Sequence, residues 1–225
     1  MPFALLGHSA KSNGRLQKME IYLARHGETD WNKEMRLQGW ADISLNERGR
    51  EEARELAKKL SGVRFDAAWC SDLDRAAETA VIVLEGHGIS PVVDPRLREM
   101  GFGPIEGQLY GDARTDPSLP LHELFIHPDK YQPPFGGETL DFVTGRLDAF
   151  RASELDRLYG EKPDATVLVV AHGIFVRNAV TIAGGFSYDN FWKLPIGNCA
   201  VVRLGYDGKR LSLLEMDGLV KEWLV

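Results

Sequence analysis

Cysteine is almost missing from these 225 residues: Cys70 and Cys199 stand far apart and outside any CxxC spacing. That excludes a disulfide framework and a cysteine-based zinc site, and it fits a reducing compartment. Long hydrophobic runs are missing as well. None nears the roughly 20 residues a membrane helix needs, and the start carries no basic region followed by a signal peptide's apolar stretch. We therefore expect a cytoplasmic protein with no membrane partner. Positive charge is not in excess either, with 27 Lys and Arg against 33 Asp and Glu and a formal net charge of −6. A broad basic surface for nucleic acid is thereby excluded, so any anion must be bound locally. Internal repeats and low-complexity tracts are absent.

What is present suffices for one sizeable core, since 44% of the residues are hydrophobic and nothing reads as an interdomain linker. Residues 1–18, which include His8, form a polar lead-in: an upstream start, or an arm packing Phe3, Leu5 and Leu6 on the domain. The domain proper is expected over 19–225. Its first strand holds Ile21 to Ala24, and Asn46 caps a helix running to Leu60, with Gly62 as its stop. A strand at Ala67–Cys70 leads to Ser71 and Asp72, expected to cap a helix from Leu73 to about Glu85 that turns Ala76, Ala77, Ala80, Val81 and Leu84 inward. A short strand follows at Val92 and Val93. After an aperiodic stretch, a long helix is expected from about Glu138 to Leu158, then a strand at Thr166–Ala171 and a helix at Ile174–Ala183. Strands near Ala200–Leu204 and Leu211–Glu215 close the chain. Their connecting turn, Tyr206 to Lys209, predicts an antiparallel hairpin at one edge. Strands alternating with helices imply an α/β fold with a mostly parallel sheet.

Polar residues recur where strands end. Arg25 and His26 follow the first strand, Arg75 the second, Glu99 the third, and His172 with Gly173 the strand at 166–171. In open α/β sheets, ligands bind beyond the carboxyl ends of the strands, and helix N-termini there favour anions. A histidine before a glycine can equally be a plain turn residue, and an arginine a plain surface residue. Four segments aimed at one edge favour chemistry: an imidazole nucleophile and guanidinium forks suited to phosphate.

Four motifs in order, LARHGETDWN at 23–32, SDLDRAAETA at 71–80, LREMGFGPIEG at 97–107 and VVAHGIFVRN at 169–178, resemble those of the histidine phosphatase superfamily, phosphoglycerate mutases and α-ribazole phosphatases included. The resemblance implies a three-layer, phosphoglycerate mutase-like fold with helices on both faces of the sheet, one antiparallel edge strand and a lid insertion. It implies His26 as the residue that becomes phosphohistidine, one ring nitrogen attacking while a backbone carbonyl holds the other. Arg25, Arg75, His172 and Asn32 would surround the phosphoryl oxygens, joined by Gly173 and by the backbone N–H of Gly39. Glu99 would be the proton donor. For Glu99 the competing use is a salt bridge with Arg96 or Arg98; Glu106 matches a position better explained by a loop contact.

Residues 101–137, rich in Gly, Pro and aromatics, are too long for an ordinary connection and read as the lid over the site, with a short helix near Leu121–Ile126. Tyr110, His122, Tyr131 and Phe135 are the substrate-facing candidates there, while His127 and, elsewhere, His87 read as incidental and Trp31 and Trp40 as packing residues. The expected function is hydrolysis of a small phosphorylated metabolite without metal or cofactor, insensitive to chelators, by a monomer or homodimer. A phosphoglycerate mutase is the alternative. Its adjacent arginine pair is not matched, since the segment from Gln108 to Glu138 holds only Arg114 and Lys130. A non-catalytic phospho-ligand module and a metal hydrolase on His26 and His172 are less favoured. The first would have lost these residues, and in the second the arginines would repel a cation.

Overall fold

The computed structural model describes residues 18–119, 121–133 and 135–217, so the lead-in lies outside the described residues up to position 17. Six strands, β1 (Met19–Arg25), β2 (Ala67–Cys70), β3 (Val92–Val93), β4 (Thr166–Ala171), β5 (Val201–Tyr206) and β6 (Leu211–Met216), form one sheet in the order β3-β2-β4-β1-β5-β6. β1, β2, β3 and β4 run parallel, and β5 lies antiparallel to both β1 and β6. The expected mixed sheet is therefore found, with its antiparallel part at the predicted edge.

The helices are α1 (Asp30–Lys33), α2 (Glu47–Leu60), α3 (Asp74–Val83), α4 (His122–Ile126), α5 (Leu140–Phe150), α6 (Asp156–Glu161) and α7 (Gly173–Gly184). Asn46 caps α2 as the sequence predicts, its side chain accepting the Gly49 N–H at 2.9 Å. The long helix predicted to Leu158 is divided, because a π-turn at Arg151–Leu155 joins α5 to α6. Two local expectations fail at α3. Asp72 does not cap it but binds Arg98 through two contacts of 2.5 and 2.8 Å, and among the described residues no side chain caps this helix. Val81, expected inward, is 55% exposed, because the inward stripe follows Ala76, Ala80 and Val83.

Central β4 is buried on both faces, which its uninterrupted apolar run requires. Alternate side chains serve different layers. Val167, Val169 and Ala171 pack with α5 and α7, whereas Leu168 and Val170 pack with Leu56 and Leu60 of α2 and with Ala76, Ala80 and Val83 of α3. Neighbouring strands β1 and β4 thus send their chains to opposite faces, into α2 and α7 respectively. A crevice opens between their carboxyl ends, where Arg25 pairs in register with Ala171. The site occupies this crevice.

Candidate active site

His26 leaves β1 into the crevice and is only 3% exposed. Its Nδ1 stands 2.7 Å from the Gly27 carbonyl oxygen. A carbonyl can only accept, so Nδ1 carries the proton and Nε2 keeps its lone pair. The backbone around this ring is tied from three sides. The Gly27 N–H donates to Thr79 Oγ1 at 3.1 Å, and that hydroxyl donates to the Arg75 carbonyl at 2.6 Å, joining the His26 loop to α3. The His26 carbonyl accepts from Asn198 Nδ2 and from the Cys199 N–H, each at 3.2 Å. Gly27 must be glycine here, since a Cβ would stand 2.4 Å from the Gly49 carbonyl oxygen at the start of α2.

Arg75, in the first turn of α3, is wholly buried. Its Nη1 and Nη2 donate to the carbonyls of Ala41 at 2.8 Å and Gly39 at 2.7 Å. The loop bearing those carbonyls is held by Glu106, whose carboxylate accepts the N–H groups of Trp40, Ala41 and Phe102 at 2.9, 2.7 and 3.0 Å. Gly39 has φ +53°, and a Cβ there would lie 2.1 Å from Glu106 Oε1, so this turn admits only glycine. The loop contact expected of Glu106 is thus found. Arg25, which ends β1, donates from Nη1 to the Ile196 carbonyl at 3.2 Å.

Glu99 forms neither of the salt bridges weighed for it: Arg96 pairs with Asp94 and Glu154, and Arg98 with Asp72. Its carboxylate instead accepts the N–H groups of Met100, Ile174 and Phe175 at 3.0 to 3.3 Å, across the N-terminus of α7. Its backbone carbonyl is fixed by Trp40 Nε1 at 2.9 Å and Arg146 Nη2 at 3.0 Å, Arg146 also gripping the carbonyls of Arg96 and Arg98 from α5. Asn32 takes the third helical position of a capping box with Thr29, and its Oδ1 accepts Asn198 Nδ2 at 3.2 Å, leaving its own amide donors uncommitted among the described residues.

These groups line one cavity of about 140 Å³, which holds Arg25, His26, Asn32, Gly39, Arg75, Glu99 and Gly173 together. His172 stands beside it. Its ring is 0% exposed, 5.1 Å from that of His26 between centroids, and among the described residues neither of its nitrogens has a hydrogen-bond partner. The Nε atoms of Arg25, Arg75 and Arg177 are likewise buried and unpartnered among the described residues. Buried donors left unpaired cost free energy, and Arg25, Arg75 and Arg177, which carry such donors, all line this cavity. Burial, reinforced by Arg75 and Arg25, holds both histidines well below the ordinary imidazole range. Both rings are therefore neutral at neutral pH. Burial also pushes Arg75 down to about 10, which leaves it cationic.

The substrate-facing candidates divide. Tyr110 lines the cavity, but His122 binds the Ala113 carbonyl at 2.9 Å, Tyr131 is buried in the core, and Phe135 is 97% exposed; none of these three reaches the wall. His127, Trp31, Trp40 and Lys130 also lie off it. Residues that the sequence did not single out complete the outer wall: Arg36, Gln38, Phe102, Phe125, Arg177 and Trp192, with Arg114. The loop at 194–200, unmarked by any motif, supplies the Ile196, Asn198 and Cys199 contacts. Its one available signal is Asn-Cys at a strand entrance, and Cys199 adopts φ +51°.

A mixed α/β sheet with a neutral imidazole and guanidinium donors gathered at its switch point is suited to handling a phosphoryl group. Residues 21–217 match the histidine phosphatase superfamily (branch 1), and the chain belongs to that family. Among relatives, the probable phosphoglycerate mutase GpmB of Enterobacter sp. (strain 638) is 30% identical over 207 residues, covering 92% of this chain and 91% of its own. Among solved structures, Bacillus stearothermophilus YhfR is 33% identical with a TM-score of 0.77, over 90% of this chain and 98% of that one. The mycobacterial glucosyl-3-phosphoglycerate phosphatase Rv2419c, in complex with VO3, is 30% identical with a TM-score of 0.73, over 89% and 99%. The chain is thus an enzyme of a family of phosphatases and mutases.

Proposed function

We propose that this protein hydrolyses the phosphomonoester of a small phosphorylated metabolite through a phosphohistidine on His26. The observation that carries the reading is the 2.7 Å contact of Nδ1 with the Gly27 carbonyl, which leaves a neutral Nε2 as nucleophile beside Arg25 and Arg75. Nε2 attacks phosphorus, the P–O ester bond breaks, and the departing oxygen takes a proton from the Glu99 carboxyl. In the second half, the Glu99 carboxylate takes a proton from water, the oxygen attacks phosphorus, and the N–P bond breaks to release phosphate and restore the imidazole. Arg25, Arg75, Asn32 and the N–H groups of Gly39 and Gly173 meet the equatorial oxygens, whose charge must be stabilised throughout. His172 donates from beneath, a role supported by its two unpartnered ring nitrogens.

No metal enters this scheme, and a cytoplasmic setting goes with two cysteines that are unpaired. The mutase reading, favoured by the name of the GpmB relative, differs only in the second acceptor: a substrate hydroxyl instead of water. Trapping a labelled phosphoryl group on His26 tests the common intermediate, and the products, inorganic phosphate or an isomerised phosphoglycerate, decide between acceptors. Turnover that persists in His26→Ala would overturn the reading.

A further inference from the structure

Glu99 has no regular element to hold it. Residues 98–102 follow the turn at Pro95–Leu97 and belong to no strand or helix, so tertiary contacts fix the proposed proton donor. One guanidinium supplies most of them. Arg146 of α5 donates from Nη1 to the carbonyls of Arg96 at 2.8 Å and Arg98 at 2.6 Å, and from Nη2 to that of Glu99 at 3.0 Å. Its Nη2 and Nε also meet the carboxylate of Glu138 at 2.9 and 3.3 Å, and the two side chains are only 18% and 16% exposed. Glu138 in turn brackets Gly101: its Oε2 accepts the Gly101 N–H at 2.9 Å, and its own N–H donates to the Gly101 carbonyl at 2.8 Å. The pair therefore grips the chain on both sides of Glu99, at 96 and 98 before it and at 101 after it.

The carboxyl carried by this grip is used unevenly. Oε1 accepts the N–H groups of Met100, Ile174 and Phe175 at 3.0, 3.2 and 3.3 Å, whereas among the described residues Oε2 has only a share of the Ile174 N–H, at 3.1 Å. Oε2 also faces the phosphoryl end, because a Cβ built on Gly173 would stand 3.5 Å from it and 3.5 Å from Arg25 Nε. Oε1 is thus the anchor and Oε2 the oxygen free to exchange a proton. Anchoring one oxygen does not fix the other, since the side chain turns about its own bonds if the backbone drifts. That drift is stopped at the Glu99 carbonyl, held by Arg146 Nη2 from α5 and by Trp40 Nε1, at 2.9 Å, from the loop that carries Gly39.

We propose that Arg146, oriented by Glu138, is the positioning residue for proton transfer, holding the Glu99 backbone so that Oε2 meets the ester oxygen in the first half-reaction and water in the second. Arg146 lies off the cavity wall and acts only through Glu99. The inference rests on the phosphatase reading, in which Glu99 is the proton donor, and extends it to the residues that place that donor. Withdrawing an ion pair from water costs free energy, and the geometry the pair imposes is what the protein gains. A misplacement of about 1 Å at a reacting group is enough to cost about 100-fold in rate. Arg146→Lys puts one ammonium where a planar fork spans three carbonyls and a carboxylate, so kcat should fall by about 10- to 100-fold with KM little changed.

The test is a double-mutant cycle on the hydrolysis of phenyl phosphate, with kcat and KM measured separately for the unmodified enzyme, Arg146→Lys, Glu99→Gln and the combination. The Arg146→Lys loss should appear in full beside an intact Glu99 and shrink to less than about 2-fold once Glu99→Gln has removed the carboxyl it serves. A merely structural role would lower kcat by the same factor in both backgrounds or raise KM. Either result would overturn the positioning role and leave the phosphatase reading intact. No turnover of phenyl phosphate, or Glu99→Gln at full kcat, would instead break the reading on which the proposal stands, and the proposal with it. If circular dichroism shows that Arg146→Lys does not fold, Glu138→Gln carries the same cycle, since it leaves the guanidinium in place and removes the charge that orients it. Its loss should be about 3- to 10-fold beside Glu99 and absent beside Glu99→Gln, and equal losses in the two backgrounds would again overturn the role.

Discussion

The floor and the outer wall of the cavity are built by opposite means. On the floor, Arg25 and His26 sit at the end of β1 and Arg75 in the first turn of α3, while Glu99 lies in irregular backbone after the turn at Pro95–Leu97; each is held by backbone groups: carbonyls of Gly27, Gly39, Ala41 and Ile196, or N–H groups of α7. On the wall, Tyr110, Arg114, Phe125 and Trp192 come from irregular segments and short helical turns, and hold one another by ring and cation contacts. The difference teaches a division of labour. Chemistry needs positions good to a fraction of an ångström, which regular elements provide, whereas selectivity needs a surface that can change without disturbing them.

The comparison is sharpened most by replacing Glu99, the proposed proton donor, on the floor. Glu99→Gln should lower kcat by about 10²- to 10⁴-fold for every substrate alike, with KM little changed, because its α7 contacts can be kept by the amide oxygen. A loss confined to one substrate class would move Glu99 from the chemistry to selectivity.

Acid should weaken the floor before the wall. His26 and His172 are held neutral by burial and by Arg75, so below the ordinary imidazole value of about 6.5 the unfolded chain binds protons that the folded one refuses. Stability is then fully present above that value and falls beneath it, each ring contributing up to about 1.4 kcal/mol per pH unit. Thermal unfolding followed between about pH 7 and pH 5 should show a steep fall that His172→Gln flattens. An unchanged slope in the variant would contradict the buried neutral ring.

The smallest of these effects lies one step removed from substrate. Glu106 touches the loop that holds Arg75, so Glu106→Gln should cost about 1–3 kcal/mol of stability and raise KM uniformly across phosphomonoesters. Glu106→Asp, which keeps the charge, should recover part of the KM. If stability falls but KM does not, Glu106 only supports the fold.

The same division decides what was legible in the sequence. Strand ends are marked by apolar runs that stop, which is why Arg25, His26, Arg75, Glu99 and the strand before His172 could be placed without coordinates. Helix ends were nearly as plain where a cap was present, as at Asn46. Asp72 misled because its carboxylate had two uses, and the bidentate contact with Arg98 outweighed the cap. Val81 misled because α3's inward stripe is narrow. Arg146 could not be foreseen: in sequence it is a polar residue on a helix, and only tertiary packing aims it at three carbonyls of the Glu99 segment. The aperiodic 101–137 segment gave no face to read, so only Tyr110 of the four aromatic and histidine candidates lies on the wall. Arg177 lies inside a recognised motif, yet its place on the wall beside Trp192 shows only in the fold.

The central claim is that an uncharged imidazole takes up the phosphoryl group. Rapid quenching of the enzyme with ³²P-labelled phosphomonoester, followed by peptide mapping, should find an acid-labile, base-stable label on His26, absent from His26→Ala. An unlabelled His26 during full turnover, or label carried by another side chain, would contradict it.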